Sequence, residues 1–287
     1  MNARKTIGSV LRRVPPLHRL AATAIHPSRA GARPAAVWRT AKYEVNTTLR
    51  GRPTELPLGD QSRILAYPGE TNSPLTAIGN PPNWPEMLVW RRYLRPGDLF
   101  VDVGANIGIY TLYAIECGAE AIAVEPVAHS ADRLCEHLAL NGYEAEVVRK
   151  ALTSTPGVVR MTTDADSYNH LTDAEGAGVD VEATTLDLLL DGRRAGVKID
   201  VEGAEALVLA GAEQALAARQ IWLLQLEWII VDKTTGIEDR SSTKAILDAA
   251  DYVLCVPDRT GRLSPVDRVE DTQFNVFAVP RSRLAEL

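Results

Sequence analysis

Short apolar runs alternate with amphipathic stretches through the middle and the end of the chain. Apolar runs of strand length predict β-strands, and apolar residues that recur every three or four positions predict helices. The expected strands cover Leu99–Val103, Ala121–Glu125, Ala145–Val148, Val158–Met161, Val179–Thr184, Val197–Asp200, Ile221–Glu227, Tyr252–Val256 and Asn275–Val279. The expected helices cover Ile109–Cys117, His129–Leu140, Ala204–Ala217 and Ser242–Ala249. This alternation predicts an α/β fold, a doubly wound Rossmann-like sheet with an antiparallel edge strand.

The segment LFVDVGANIGIYT joins the first of these strands to the first helix through a Gly-rich turn. Gly104 and Gly108 allow the close backbone approach and unusual torsions that such a turn needs. Asp102 is a carboxylate in an apolar strand, which is costly unless a cation or a hydrogen-bond donor meets it. We therefore expect it near the carboxyl end of the strand, facing a ligand, with Thr111 in the first helical turn contacting a ligand carboxylate.

A second short strand, AIAVEP, ends in Glu125, about 20 residues beyond the Gly-rich turn. An acidic residue in that place binds ribose hydroxyls in Rossmann-type domains. Asn106 stands where a dinucleotide-binding turn has its middle glycine, which argues against a nicotinamide cofactor. An adenosyl cofactor without a pyrophosphate needs no such glycine, and Asp102 suits its ammonium group. S-Adenosylmethionine fits this chemistry better.

A third motif, VKIDVEGAE at residues 197–205, completes a recognisable set with DVGANIGIYT, VEP, the Ala151-Leu152 pair and TTLDLLL. Together these motifs closely resemble the FkbM family of S-adenosylmethionine-dependent methyltransferases, over roughly residues 86–227. The resemblance implies O-methylation of a hydroxyl on a sugar or a polyketide-type natural product, and a membrane-bound N-terminal arm would favour a glycolipid acceptor. The expected cofactor-binding residues, from these motifs and the family resemblance together, are Asp102, Gly104, Asn106, Gly108, Thr111, Glu125, Pro126, Ala151 and Asp200.

The carboxyl ends of the strands that carry Asp102, Glu125, Asp200 and Glu227 are expected to form one acidic rim. Asp200 ends an apolar strand there, shares one side of it with Lys198, and is the residue expected beside the transferred methyl group. A carboxylate in that position serves as a general base or as a metal ligand. For Glu205 we favour a structural role at the start of the next helix.

Candidate catalytic residues are Asp200, Glu202 and His170, and candidate metal ligands are Asp200 and Glu227. His170 lies in a polar loop with Asp166 and Ser167, where it serves as a base or is merely solvated. The two metal candidates resemble the acidic ligands of metal-dependent O-methyltransferases, which implies Mg²⁺. The expected reaction is direct displacement, in which a hydroxyl oxygen attacks the sulfonium methyl group.

Charge divides the chain into a basic beginning and an acidic remainder. Residues 1–52 carry 11 Lys or Arg and one acid, whereas the rest carries 20 basic and 36 acidic residues. Residues 1–52 are therefore expected to form a flexible or membrane-surface arm, residues 53–96 a cover that also meets substrate, and residues 97–287 the catalytic domain. Peripheral membrane association through residues 1–40 and a simple flexible arm both stay open. A nucleic-acid partner is not expected.

The composition agrees with a cytoplasmic enzyme, which the arm would place on the inner face of the membrane. With 46% hydrophobic residues the chain can bury a full core, and its three widely spaced cysteines are expected to be buried, reduced thiols. No apolar stretch is long enough for a membrane span. Other interpretations remain: an N-methyltransferase, a non-catalytic cofactor-binding module of the same fold and, less favoured, a nicotinamide-dependent dehydrogenase.

Overall fold

The computed structural model describes residues 23, 33–70, 73–162, 171–172, 178–228, 240–269 and 275–287. Most of the basic arm lies outside this part of the chain. So do three residues of the polar loop considered for the active site, namely Asp166, Ser167 and His170.

The described residues form nine α-helices and fourteen strands. The helices are α1 (Arg33–Tyr43), α2 (Ser73–Ile78), α3 (Glu86–Tyr93), α4 (Ile109–Glu116), α5 (Ala128–Asn141), α6 (Leu186–Leu190), α7 (Glu205–Ala210), α8 (Glu213–Ala217) and α9 (Arg240–Ala249). The strands are β1 (Thr54–Leu58), β2 (Ser62–Ala66), β3 (Leu99–Val103), β4 (Glu120–Val124), β5 (Glu146–Val148), β6 (Ala151–Leu152), β7 (Gly157–Met161), β8 (Leu171–Thr172), β9 (Val179–Thr184), β10 (Ala195–Ile199), β11 (Ile221–Glu227), β12 (Tyr252–Pro257), β13 (Leu263–Pro265) and β14 (Asn275–Pro280). A π-helical turn, Glu44–Leu49, continues α1, and a 3₁₀ helix, Arg281–Glu286, follows β14.

Eight strands form the main sheet in the order β13-β12-β14-β11-β10-β3-β4-β5. The central strands β11, β10, β3, β4 and β5 are parallel, whereas β14 runs antiparallel between β11 and β12. This confirms the expected doubly wound, Rossmann-like sheet. The sheet ends in β5 on one side and in β13 on the other. The short strand β13 pairs antiparallel with β12, and the apolar pattern did not predict it.

A second, four-stranded sheet has the order β6-β9-β7-β8. It contains the two predicted strands near residues 158–161 and 179–184, which pair with each other antiparallel. Ala151 in β6 pairs with Ala183 in β9, so the Ala151-Leu152 motif belongs to this small sheet.

Each face of the main sheet is covered by its own apolar layer. Phe100 packs on one face together with Trp90 of α3, their ring centroids 4.7 Å apart in an edge-to-face arrangement. Val101 and Val103 point to the opposite layer, which contains Val197 and Ile199 of β10. All five residues of β10 are buried, as expected for a central parallel strand.

The helix predicted over Ala204–Ala217 is wrong in one respect, because it is broken into α7 and α8 at Gly211. A Cβ atom on Gly211 would lie 2.1 Å from the carbonyl oxygen of Thr153, so the backbone passes too close for a side chain. Asp187 caps α8 by accepting the backbone N–H groups of Gln214 and Ala215 at 2.9 and 2.8 Å.

Residues 53–93 form the β1–β2 hairpin and the helices α2 and α3. Glu116 at the end of α4 holds the hairpin turn, accepting the backbone N–H groups of Asp60, Gln61 and Ser62. Arg91 of α3 donates to the same carboxylate at 2.6 Å. The hairpin is thereby attached directly to the helix that follows the Gly-rich turn.

The three cysteines are free thiols, as expected, but they are not all buried. Cys255 is buried, Cys117 is half-buried, and Cys135 is exposed on α5. Among the described residues, no helix is both long and apolar enough to cross a bilayer.

Candidate functional site

The Gly-rich turn after β3 crosses directly over the end of β10. Gly104 has a positive φ of 74°, and a Cβ atom there would lie 2.0 Å from the backbone oxygen of Asp200. The backbone N–H groups of Gly104 and Ala105 both donate to the carbonyl of Val124 at 3.0 Å. Only glycine fits this position, so the turn and Asp200 are held in backbone contact.

The rest of the turn also uses left-handed backbone. Asn106 has a φ of 50°, which asparagine tolerates better than most residues, and its side-chain oxygen accepts the N–H of Ile107 at 2.8 Å. Gly108 has a φ of 85° and begins α4, and a Cβ atom there would lie 2.9 Å from Leu134. These torsions confirm the prediction that both glycines are needed for the conformation of the turn.

Glu125 ties the turn to the end of β4. Its Oε2 accepts the N–H of Asn106 and its Oε1 accepts the N–H of Val127, each at 2.8 Å. Burial raises the pKa of Glu125 to about 6, and the two backbone N–H groups oppose this shift. The side chain lies at the expected rim, with Pro126 half-buried beside it.

His137 of α5 joins the same turn to the β1–β2 hairpin. Its Nδ1 lies 2.8 Å from the carbonyl oxygen of Ile107, and the N–H of Leu65 donates to its Nε2 at 3.0 Å. Burial lowers the pKa of His137, and the neighbouring Arg133 guanidinium acts in the same direction. His137 is thus a structural link between β2 and the turn.

Asp102 does not face open solvent, and its expected contact with a ligand ammonium stays a prediction. It is fully buried, and its Oδ1 lies 3.3 Å from the Nζ of Lys198. Thr111 is also fully buried, and its hydroxyl donates to Oδ2 of Asp102 at 2.7 Å. Its expected contact with a ligand carboxylate stays a prediction. The cation and the donor that a buried carboxylate requires are therefore supplied from within the chain.

Lys198 connects this pair to the rim. Its Nζ also lies 3.4 Å from Oδ2 of Asp200 and 4.9 Å from the centre of the Tyr110 ring. Burial alone would lower the pKa of Lys198, but the carboxylates of Asp200 and Asp102 raise it above its usual value. The ammonium group is thus kept charged beneath Asp200.

Asp102, Thr111, Lys198 and Asp200 form a polar network, and further polar side chains extend it into the core. Tyr110 accepts a hydrogen bond from the amide of Gln225 at 3.1 Å, and the oxygen of that amide accepts the indole N–H of Trp90 at 2.6 Å. Tyr110 and Gln225 are not among the site residues predicted from the sequence. The signal was a glutamine within the otherwise apolar run IWLLQL, since a polar residue in a buried strand needs partners.

Three carboxylates meet above the network. Asp200, Glu202 and Glu227 each offer an oxygen, and these oxygens all lie within 4.8 Å of one another. Glu227 is buried, whereas Asp200 and Glu202 are half-buried. The structure thus brings two of the three predicted catalytic residues, Asp200 and Glu202, together with the predicted metal ligand Glu227 in one acidic cluster. The third predicted catalytic residue, His170, lies outside the described residues. Oxygen ligands of this kind suit a hard divalent cation, and a half-buried carboxylate suits proton transfer.

Glu205 has the structural role expected from the sequence. Its Oε1 accepts the N–H groups of Val201 and Gly203 at 3.1 and 3.4 Å. Burial raises its pKa to about 7, and the negative charge of Asp200 acts in the same direction. This side chain shapes the loop that carries Glu202.

Residues 102–252 match the family model of the methyltransferase FkbM domain, which is more than half of the chain. The chain belongs to the FkbM methyltransferase family. The matched range contains the Gly-rich turn, Glu125 and the acidic cluster, and it confirms the resemblance drawn from the motifs. No curated protein matches this FkbM family member.

Solved structures of other methyltransferases show partial similarity. An FkbM methyltransferase from Methylobacillus flagellatus KT is 17% identical, with a TM-score of 0.41 over 66% of this chain and 45% of that one. A putative rRNA-methylase from Clostridium thermocellum is 8% identical, with a TM-score of 0.41 over 66% and 89% of the two chains. Magnesium protoporphyrin IX methyltransferase from Synechocystis PCC 6803, solved with S-adenosylmethionine, is 15% identical, with a TM-score of 0.38 over 67% and 74%. The present chain therefore spans less than half of the Methylobacillus protein.

Proposed function

We propose that this protein transfers a methyl group from S-adenosylmethionine to a hydroxyl of a sugar, a glycolipid or a polyketide-type natural product. The observation that supports this most is the backbone contact between Gly104 and Asp200. It sets the turn of the expected cofactor-binding motif against the backbone of Asp200, the residue whose carboxylate is suited to accept a proton.

The residues of the site fit a cationic adenosyl cofactor. When bound, S-adenosylmethionine supplies an electrophilic methyl group on a sulfonium sulfur. Asn106 and Gly108 shape the turn beside it. The carboxylate of Glu125, which accepts the N–H of Asn106 in this turn, would also accept hydrogen bonds from ribose hydroxyls. The acidic cluster favours the positive charges of this cofactor and disfavours the phosphates of a dinucleotide.

Asp200 is the proposed general base. The acceptor oxygen forms a bond to the methyl carbon, the carbon–sulfur bond breaks with its electron pair remaining on sulfur, and the hydroxyl proton passes to the carboxylate of Asp200. Lys198 holds this carboxylate from below at 3.4 Å, and Glu202 lies beside it. The protein thereby supplies orientation and proton removal, because the sulfonium already activates the methyl group.

The test uses Asp200→Asn, which keeps the size of the side chain and removes its basicity. We expect normal S-adenosylmethionine affinity by calorimetry and a loss of turnover of at least about a hundredfold. Turnover is measured as S-adenosylhomocysteine release with sugar and glycolipid hydroxyl acceptors. Matched amine acceptors separate O-methylation from N-methylation, and comparison of lipids and saccharides from a deletion strain by mass spectrometry identifies the missing methyl group. Unchanged turnover in Asp200→Asn would contradict the role of this base.

A second candidate mechanism uses Mg²⁺, since Asp200, Glu202 and Glu227 bring three carboxylate oxygens within 4.8 Å of one another. These residues would hold the ion with several of its waters retained, and the ion would acidify a bound hydroxyl. Full activity after treatment with excess chelator excludes this mechanism. Activity that is lost with chelator and restored by added Mg²⁺ supports it.

A further inference from the structure

Helix α1 and the π-helical turn that follows it bury a largely polar side. The buried residues are Ala36, Thr40, Tyr43, Glu44 and Thr47. The hydroxyl of Thr40 donates to the carbonyl of Ala77 in α2 at 2.9 Å, and Arg39 donates to the same carbonyl at 3.0 Å. These contacts fix which side of the helix faces the body of the protein.

The opposite side carries large apolar residues in solvent. Trp38 is 72% exposed, Leu49 is 77% exposed and Val45 is 38% exposed. Val45 follows Trp38 by seven positions, about two helical turns, and Leu49 follows Val45 by one further turn. The three side chains therefore share one side of the helix. A surface helix ordinarily buries such residues and exposes its threonines. Here Thr40 and Thr47 are buried while Trp38 and Leu49 are in solvent, which marks the outer side of the helix as a contact surface.

The charges around this surface are positive. Lys42 is exposed between Trp38 and Val45, and Arg50 and Arg52 are exposed just beyond Leu49. Within residues 1–52 the sequence has 11 basic residues and one acid, Glu44, which is buried. Along this helix, the charged residues that flank the exposed apolar side chains are therefore all basic.

We propose that the side of the helix formed by Trp38, Lys42, Val45 and Leu49 docks on an anionic lipid bilayer. Tryptophan is favoured at the level of the lipid headgroups, aliphatic side chains enter the boundary of the acyl chains, and basic residues attract anionic headgroups. A nucleic acid offers no apolar phase for Val45 and Leu49. In a symmetric pair of copies, Lys42 and its basic neighbours would face their own equivalents. This surface is independent of the proposed methyl transfer.

The experiment is flotation of the full chain with vesicles of phosphatidylcholine alone or of phosphatidylcholine mixed with phosphatidylglycerol. We expect the protein to float with the anionic vesicles, and much less with the neutral ones or at high salt. The double variant Trp38→Ser, Leu49→Ser is expected to bind the anionic vesicles at least about tenfold more weakly. Leu188→Ser is the matched control, because Leu188 is 62% exposed on α6, and it should float like the wild type.

Circular dichroism and the affinity for S-adenosylmethionine should be unchanged in the double variant, since both side chains are exposed. Flotation of the double variant equal to that of the wild type would overturn the proposal and assign any binding to the preceding basic residues alone. If the wild type does not float but forms a dimer in light scattering, and this dimer dissociates in the double variant, the surface binds a second copy of the chain. That result would overturn the proposal. Trp38-dependent binding to RNA, again without flotation, would overturn it in favour of a nucleic acid.

Discussion

Lys198 and Asp102 lie opposite each other on the adjacent parallel strands β10 and β3, with the Nζ of one 3.3 Å from the Oδ1 of the other. Their side chains are 5% and 0% exposed, so both charges are removed from water. Asp200 meets the same ammonium group from the rim. A buried lysine between two carboxylates therefore connects the core of the sheet to the proposed general base.

Removal of this cation is expected to destabilise the protein. Lys198→Met leaves Asp102 buried without its ion pair and should lower the free energy of unfolding by about 3–5 kcal/mol. Urea denaturation measures this change. The matched double variant Lys198→Met, Asp102→Asn should recover part of the loss, because it leaves no uncompensated charge. Equal losses in the single and double variants would show that the ion pair is not the cause.

The acidic rim was predictable because the carboxyl ends of parallel strands meet at one edge of a sheet. The strand-end positions of Asp102, Glu125, Asp200 and Glu227 thus place them near one another before any side-chain contact is known. The partner of Asp102 was not predictable in this way. Lys198 is 96 residues away, and its contact depends on which strands are neighbours and on their register.

The sequence pattern also did not predict which side of α1 is buried. On a helix that packs against a folded domain, large apolar residues such as Trp38 and Leu49 are ordinarily the buried ones. The structure buries Thr40 instead, since its hydroxyl meets a carbonyl of α2. A hydrogen-bond partner in a distant segment decides the orientation, and the local sequence does not contain that information.

Because Gly104 lies against the backbone of Asp200, we expect any side chain at position 104 to reduce both stability and cofactor binding. In Gly104→Ala the new Cβ atom would meet a backbone oxygen, and the residue has a positive φ. We expect a loss of about 3 kcal/mol in the free energy of unfolding and weaker S-adenosylmethionine binding. Gly142→Ala is the control, because Gly142 has a φ of 64° in open space and should lose only about 1 kcal/mol. Equal losses would show that the close contact is unimportant.

The raised pKa of Glu205 is expected to make the stability of the protein depend on pH. Its pKa rises from 4.5 to about 7 on folding, so the folded state binds the proton more tightly than the unfolded state. This contribution is complete below pH 4.5 and is lost as the pH rises through 7, which amounts to roughly 3 kcal/mol at most. Glu205→Gln keeps an oxygen for the N–H groups of Val201 and Gly203 and removes the titration.

The comparison of these two proteins by urea denaturation isolates the titrating group. The stability of the wild type relative to Glu205→Gln should decline between pH 5 and pH 8. A constant difference over this range would show that Glu205 has the same pKa in the folded and unfolded states.

Glu125 predicts a specific loss of affinity for the methyl donor. Glu125→Ala removes the carboxylate that is proposed to bind ribose hydroxyls, and calorimetry should show a dissociation constant for S-adenosylmethionine raised at least about tenfold. Glu120→Ala is the control, since Glu120 is exposed at the opposite end of the same strand. The variant also removes the acceptor of the Asn106 N–H, so a weaker affinity alone does not separate ligand contact from a loosened turn.

A 2′-deoxyribose analogue of S-adenosylhomocysteine separates these two effects. If Glu125 binds the 2′-hydroxyl, the ratio of affinities between wild type and Glu125→Ala should be smaller for the deoxy analogue than for S-adenosylhomocysteine, because the analogue lacks the group that the carboxylate contacts. If the carboxylate only holds the turn, the two ratios will be equal. The second result would assign Glu125 a structural role at the end of β4 and would leave ribose recognition to other groups at the rim.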